Sequence, residues 1–360
     1  MLRVTSVVGT RPNFVKIAPL CRQFAQLSAR VENELVHTGQ HYDYQMNGAF
    51  FQELGIPTPA HFLDVGSASH TRQTAEIMLR LEPILTERRP DWLVVVGDVN
   101  STLAAALTGV KMGVKVAHVE AGLRSFDRAM PEEINRVITD SVADLLFAPS
   151  ADGVANLLRE GRPASAIHMV GNIMIDSLCH HLDGIRAAHA YRKLDLKPQT
   201  YLFCTLHRPS NVDDGQRLER ILAKLRELAA RFPVVVSLHP RTLARLEQFG
   251  LQKLASDGDL HCVPPLPYTE CLSLILHSAG VVTDSGGIQE ETTYLKVPCV
   301  TLRDHTERPV TLNSGTNQLA GPENLEQALD QAMAERGRGR IPDKWDGRTA
   351  ERIASVLLGS

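Results

Sequence analysis

Two doubly wound α/β domains are the fold class this sequence predicts, and three observations predict it. Short β-branched runs ending in Gly, Asp or Ser recur along the chain, each followed by a longer helical pattern. These runs lack the alternation of a half-exposed strand, so they suit strands buried on both faces, with helices as right-handed parallel crossovers. A length of 360 residues also exceeds what one core usually spans, given roughly 100–200 residues per domain.

The strands are read in order. The first half carries LRVTSVVGT, NELVHTG, WLVVVGD, VKVAHVEAG, LLFAPS and IHMVGN, and the second TYLFCTLH, VVVSLHP, LHCVP, GVVTDSGG and PCVTLRD. Between 176 and 199 the stretch DSLCHHLDGIRAAHAYRKLDLKPQ loses this rhythm and turns polar before Pro198. The domain join is placed there, giving domains 1–178 and 179–344. RTAERIASVLLG follows the last strand and is amphipathic, so residues 345–360 are expected to pack back on the first domain. Two such domains facing each other leave a central cleft lined by the carboxyl ends of both sheets, where open α/β sheets bind ligands.

Composition narrows the function. Hydrophobic residues make up 43% and charged residues 22%, which describes a globular chain and not a disordered one. A net charge of −3 offers no basic face for nucleic acid, although a few placed cations still suffice for a small anion. Cys21, Cys179, Cys204, Cys262, Cys271 and Cys299 show neither CxxC nor zinc spacing and read as reduced core thiols of a cytoplasmic protein. MLRVTSVVGTRP lacks the apolar core of a signal peptide, and no run reaches the roughly 20 apolar residues of a membrane span. No metal site and no cofactor are expected.

Chemistry-bearing residues cluster just after strands. In the first half, GTRPNFVK (9–16) brings Arg11 and Lys16, GDVNST brings Asp98, and HVEAGLRS brings His118, Glu120 and Arg124. A helix opens at MPEEINR with Pro131 in its first turn, and Glu132 and Arg136 lie four apart on one face. Taken alone, that pair reads as a surface ion pair. Acids directly after apolar strands, such as Asp98 and Glu120, point instead to a ligand cleft.

The second half adds LHRPSN with His207 and Arg208, LHPRT with His239 and Arg241, and RDHTERP with Arg303, Glu307 and Arg308. HPRT also fits a turn in which Pro240 opens a helix. Between these lies TDSGGIQEE, where small residues at a helix mouth expose amides and the positive end of the helix dipole. A nucleoside diphosphate fits the set: its phosphates suit the Ser285, Gly286 and Gly287 amides, and its ribose diol suits a carboxylate such as Glu291, one turn inward. GxGxxG and GxxxxGK[ST] are both absent, so neither a dinucleotide fingerprint nor a P-loop is present.

GTRP, HTGQH, GD with a polar run, HVEAGLR, MPEEINR, HR after a strand, HPRT, TDSGGIQEE and RDHTERP occur here in an order and spacing that resemble the non-hydrolysing UDP-N-acetylglucosamine 2-epimerases, from about residue 3 to 321. The resemblance implies a glycosyltransferase-B fold, a homodimer, and interconversion of UDP-N-acetylglucosamine and UDP-N-acetylmannosamine without NAD or metal. It gives Asp98, Glu120 and Glu132 the acid/base work, with Arg136 beside them, and sets Arg11 and Lys16 near the nucleotide sugar. His207 and Arg308 hold the diphosphate with Ser285, Gly286 and Gly287, Glu291 takes the ribose, and uracil lies near PPLPYTEC (264–271). There Cys271 stands where some relatives carry an aromatic ring.

In relatives regulated by their substrate, positions matching Gln40, Arg208 and His239 touch a second UDP-N-acetylglucosamine. Asp43 and the LHPRT loop depart from that pattern, so weak or absent activation is expected here. The resemblance also extends to enzymes acting on UDP-2,3-diacetamido-2,3-dideoxy-glucuronic acid. A glycosyltransferase of the same fold, a hydrolysing epimerase and a non-catalytic nucleotide-sugar sensor are the rival readings, and the carboxylate set opposes the first and last.

Overall fold

Strands without polar alternation need cover on both faces, and both sheets of the computed structural model are parallel throughout, the arrangement that supplies it. Residues 1–40, 51–256 and 260–360 are described, so Asp43 and the last histidine of HTGQH lie outside the described residues. The chain divides into one unit of Met1–His180 with Asp343–Ser360, and a second of His181–Pro342.

The first unit contains β1 (Leu2–Val8), β2 (Val31–His37), β3 (His61–Phe62), β4 (Trp92–Val96), β5 (Lys115–Val119), β6 (Leu145–Ala148) and β7 (Ile167–Met169). They are ordered β3-β2-β1-β4-β5-β6-β7. The second contains β8 (Leu202–Leu206), β9 (Val234–Leu238), β10 (Leu260–Val263), β11 (Gly280–Thr283), β12 (Cys299–Leu302) and β13 (Asn317–Ala320), ordered β10-β9-β8-β11-β12-β13. Both orders reverse direction once, between β1 and β4 and between β8 and β11. Open α/β sheets bind ligands at that reversal, beyond the strand carboxyl ends.

Every residue of WLVVV in β4 is buried, so the central strand is anchored from both faces and its end is a rigid mount. The eleven strands expected from the sequence are all present. Two edge strands, β3 and β13, add to that set. Their sequences, HF and NQLA, are too short or too polar to register as apolar runs, and an edge strand needs only one neighbour.

The strand rhythm stops at 176–199 because the Ile173–Ala188 helix and a short 3₁₀ turn occupy it. Residues after Asp343 belong to the first unit. Asp176 accepts the Thr349 and Ala350 amides at 3.1 and 2.7 Å, capping the Thr349–Gly359 helix, and Trp345 donates its indole N–H to the Pro149 carbonyl at 3.0 Å. Ile353, Ala354 and Leu357 are buried on this helix, which packs against the Arg11–Gln26 helix.

The turn after β5 requires glycine. Gly122 has φ +83°, and a Cβ there would lie 2.3 Å from the Gly153 carbonyl oxygen. Gly122→Ala is therefore expected to lower the unfolding free energy by roughly 2–4 kcal/mol, from left-handed strain plus overpacking against backbone. Chemical denaturation of the variant checks this.

Candidate active site

At the first unit's reversal point the ends of β1 and β4 are tied by Asn13, a fully buried residue. Its side-chain oxygen accepts the Gly9 and Thr10 amides, each at 3.2 Å, and its amide nitrogen donates to the Val96 carbonyl at 3.0 Å. Gly97 follows with φ +70°, and a Cβ there would sit 2.8 Å from Lys16 Nζ, so the backbone makes room for the lysine. Lys16 pairs with Glu120, and both are buried. Glu120 itself is left-handed, at φ +75°.

Asp98 is fixed by the MPEEINR helix, Pro131–Val142. Arg136 Nε and Nη2 each approach Asp98 Oδ2 at 3.0 Å, and the Asn135 side chain donates to the Asp98 carbonyl at 2.8 Å. Arg136 is 2% exposed and its second carboxylate is Glu133, three residues back. In place of a surface Glu132–Arg136 pair, the buried Arg136 joins the buried Glu133 to the half-buried Asp98. Glu133 also accepts the Ser125 and Phe126 amides at 2.9 Å, which holds the loop leading from β5 to this helix. Glu132 lies half-buried in the first turn, and its side chain makes no hydrogen bond or ion pair among the described residues. Arg11 opens its helix, exposed.

Gln40 is buried in the same unit, where its side-chain oxygen accepts the Ser101 hydroxyl at 2.8 Å. Nearby, His37 is ringed by Phe14, Phe51 and Phe62; burial pushes its pKa down to about 4, so it stays neutral at physiological pH.

In the second unit, Asp284 organises the end of β11. It is fully buried and accepts the His207 amide at 3.0 Å, the Arg208 amide at 2.9 Å and the Asn211 side chain at 3.1 Å, while His207 Nδ1 lies 3.0 Å from its other oxygen. Desolvation raises its pKa, but His207 and these donors outweigh that and hold it below the usual carboxylate range. The half-buried His207 ring is thereby fixed with Nε2 turned away from Asp284.

The Gly286–Leu295 helix starts beside it. Ser285 is its cap, its hydroxyl accepting the Ile288 amide at 3.5 Å. The Ser285 amide, expected to meet a phosphate, instead donates to Thr283 Oγ1 at 3.0 Å and is already spent. Gly286 and Gly287 remain as first-turn residues whose N–H groups lack intrahelical acceptors. Arg308 lies against this helix end, since a Cβ on Gly286 would be 2.5 Å from its Nη1. It is buried between Glu290, 2.9 Å from Nε, and Glu307, which also pairs with Arg303 at 2.7 Å and Arg208 at 3.4 Å.

Glu291 sits on the next turn, buried, with its pKa pushed up to about 8 by desolvation, against the neighbouring Tyr268 hydroxyl and with help from Glu290. Cys271 lies half-buried on the Tyr268–His277 helix. His239 proves to be a helix cap: its Nδ1 accepts the Arg241 amide at 3.1 Å as Pro240 opens the Pro240–Gln248 helix. Its ring centroid is 5.4 Å from that of His207.

The first unit therefore presents carboxylates fixed by cations at the ends of adjacent strands. The second presents an oriented histidine, an arginine, bare helix amides and a buried acid. No helix among the described residues is long and apolar enough to cross a membrane. A glycosyltransferase-B chain with a nucleotide-sugar site is the class these features define.

Comparison with known proteins agrees. The family model described as UDP-N-acetylglucosamine 2-epimerase matches residues 25–358. The UDP-N-acetylglucosamine 2-epimerase of Methanocaldococcus jannaschii is 40% identical, with 99% of each chain covered. A crystal structure of the M. jannaschii enzyme in complex with UDP-GlcNAc and UDP superposes with a TM-score of 0.93 at 39% identity, covering all of both chains. The UDP-2,3-diacetamido-2,3-dideoxy-D-glucuronate 2-epimerase of Pseudomonas aeruginosa is 37% identical, again with 99% of each chain covered. The chain belongs to the UDP-N-acetylglucosamine 2-epimerase family.

Sequence reasoning missed Asn13, Glu133, Asn135, Asp140 and Asp284. Glu133 and Asp284 stand inside MPEEINR and TDSGG, where the adjoining residue drew the role; their signal was an acid that burial would force into partnership. Asn13, Asn135 and Asp140 carry none in one sequence, because their partners are backbone groups or distant residues.

Proposed function

We propose that this chain interconverts UDP-N-acetylglucosamine and UDP-N-acetylmannosamine. The observation that carries the reading is the pair of fixed carboxylates, Glu120 with Lys16 and Asp98 with Arg136, at neighbouring strand ends. C2 of the sugar is not next to a carbonyl, so its proton is not acidic enough for direct removal. Anti-elimination solves this: a carboxylate takes the C2 proton, the C1–O bond breaks, UDP departs, and 2-acetamidoglucal remains. Protonation of C2 from the other face and attack of a UDP oxygen on C1 complete the inversion with no net redox change. One acid/base group is needed on each face, which the set Asp98, Glu120 and Glu132 provides.

UDP is held by the second unit. His207, oriented by Asp284, Arg308, the Ser285 hydroxyl and the Gly286 and Gly287 amides meet the diphosphate, whose charge grows as the C1–O bond breaks. Glu291 takes the ribose hydroxyls, and the base lies near Tyr268 and Cys271. Arg11 and Lys16 serve the sugar side. The enzyme works as a cytoplasmic homodimer without NAD or metal, and Gln40, Arg208 and His239 remain the positions at which a second nucleotide sugar would act.

The test is the reaction in D₂O. UDP-N-acetylmannosamine formed from UDP-N-acetylglucosamine is expected to carry deuterium at C2, read by NMR; unlabelled product would exclude proton transfer with solvent. The glucuronate-type relative gives a second substrate a specific basis, so the same incubation with UDP-2,3-diacetamido-2,3-dideoxy-glucuronic acid decides between them. Turnover of that sugar alone would replace the first reading.

A further inference from the structure

We propose that the buried pair His118 and Asp140 is a positioning brace for the two carboxylates that act at C2. The inference rests on the reading that Asp98 and Glu120 are those carboxylates. Neither member of the pair touches either carboxyl group; the brace works through backbone.

His118 lies within the buried run of β5, one residue before its end, and is fully enclosed. Its Nε2 is 2.8 Å from the Gly97 carbonyl, and its Nδ1 is 2.6 Å from Asp140 Oδ1. The other Asp140 oxygen accepts the Gly122 amide at 3.0 Å and pairs with Arg124 at 2.7 Å, and Arg124 is itself held by Glu160 at 2.6 Å. A carbonyl oxygen can only accept. Asp140 is a carboxylate too, because His118, Arg124 and the Gly122 amide together outweigh the desolvation that would raise its pKa. The Gly97 carbonyl therefore takes an N–H from Nε2, and Nδ1 faces the Asp140 carboxylate. One ring thus ties the residue before Asp98 to the turn two residues after Glu120.

That turn needs a brace. Glu120 is a non-glycine residue at φ +75°, a conformation that costs on the order of 1–3 kcal/mol and persists only where its surroundings over-determine it. The Glu120 and Ala121 amides both donate to the Phe147 carbonyl, at 3.1 and 3.0 Å, and fix one side. Asp140 fixes the other through Gly122. Loosening it lets the Glu120 carboxylate and the Gly97–Asp98 backbone drift, and a displacement near 1 Å in a reacting group is enough to cost about 10²-fold in rate.

The experiment compares His118→Ala, His118→Gln and Asp140→Asn in the full-length enzyme, with rates normalised to UDP-binding sites titrated by calorimetry. His118→Ala and Asp140→Asn are expected to lower kcat about 10–100-fold and leave KM for UDP-N-acetylglucosamine within about 3-fold, because UDP is held by the other unit. His118→Gln keeps a donor within reach of the Gly97 carbonyl and should recover part of the lost kcat; it also carries the test if the alanine variant does not fold. Asp176→Asn removes a comparably buried carboxylate from the same unit, one whose partners are the Thr349 and Ala350 amides, and should lower Tm with kcat unchanged. Parental kcat in the His118 and Asp140 variants, or a change in KM alone, overturns the brace. Full activity in Asp98→Asn and Glu120→Gln would instead overturn the catalytic reading beneath it, so the two failures are distinguishable.

Discussion

Asp98→Asn is expected to cut epimerisation by about 10²–10⁴-fold, the usual scale for losing a general acid or base, and to release 2-acetamidoglucal and UDP. The structure separates this chemical effect from a folding effect. Arg136 donates to one oxygen of Asp98 from Nε and Nη2, and the carbonyl of asparagine can accept the same pair. The Asn135 bond goes to the Asp98 backbone and survives, and Arg136 keeps Glu133. What disappears is proton exchange at C2. The glycal escapes because, once UDP has left the C1 carbon, only the sugar side holds it, and slow reprotonation gives it time to leave. Glu132→Gln should behave alike, since the Glu132 side chain has no partner among the described residues for its loss to disturb. Product analysis by NMR, with deuterium counted at C2, checks both; parental rates in both variants would remove the carboxylate mechanism.

Legibility of the sequence followed where the free energy lies. Strands buried on both faces must be apolar without alternation, so WLVVV and GVVT announced themselves, and with them the two sheets and their strand ends. HF is only two residues long and NQLA is half polar, so these two edge strands carry no apolar mark, whereas the edge strands IHM and LHCV do. Candidate residues after the strands were visible because a polar group there has nothing structural to do until a partner is known.

Partners are long-range, and here reading from one sequence reached its limit. Lys16 lies 104 residues from Glu120, and Arg136 lies 38 from Asp98. Only folding shows that the helical spacing of Glu132 and Arg136 is incidental, and that the buried mate of Arg136 is Glu133. The Ser285 amide tells the same story in the second unit: a helix mouth implied three open amides, and a threonine two residues back had already taken one.

Glu291→Gln is expected to make the protein more stable at alkaline pH and worse at binding UDP. Its carboxyl is buried and has a folded-state pKa near 8, against an ordinary value of 4.5. Between those values the folded chain binds the proton that the unfolded chain has released. Stability therefore falls with rising pH, by about 1.4 kcal/mol per unit over the window from roughly 4.5 to 8, and is level above it. Glutamine removes the ionisation, so the variant should match the parent near pH 5 and melt several degrees higher at pH 8. A buried group that costs stability in the working range is retained for what it binds. Below pH 8 the carboxyl is mostly protonated, so losing this partner of the ribose hydroxyls costs about 0.5–1.5 kcal/mol, which is roughly a 2–10-fold weaker UDP dissociation constant. Melting curves at the two pH values and calorimetric titration with UDP read both effects. A variant with parental UDP affinity would take the ribose away from Glu291, and one with no stability gain at pH 8 would show that its carboxyl is ionised at no cost.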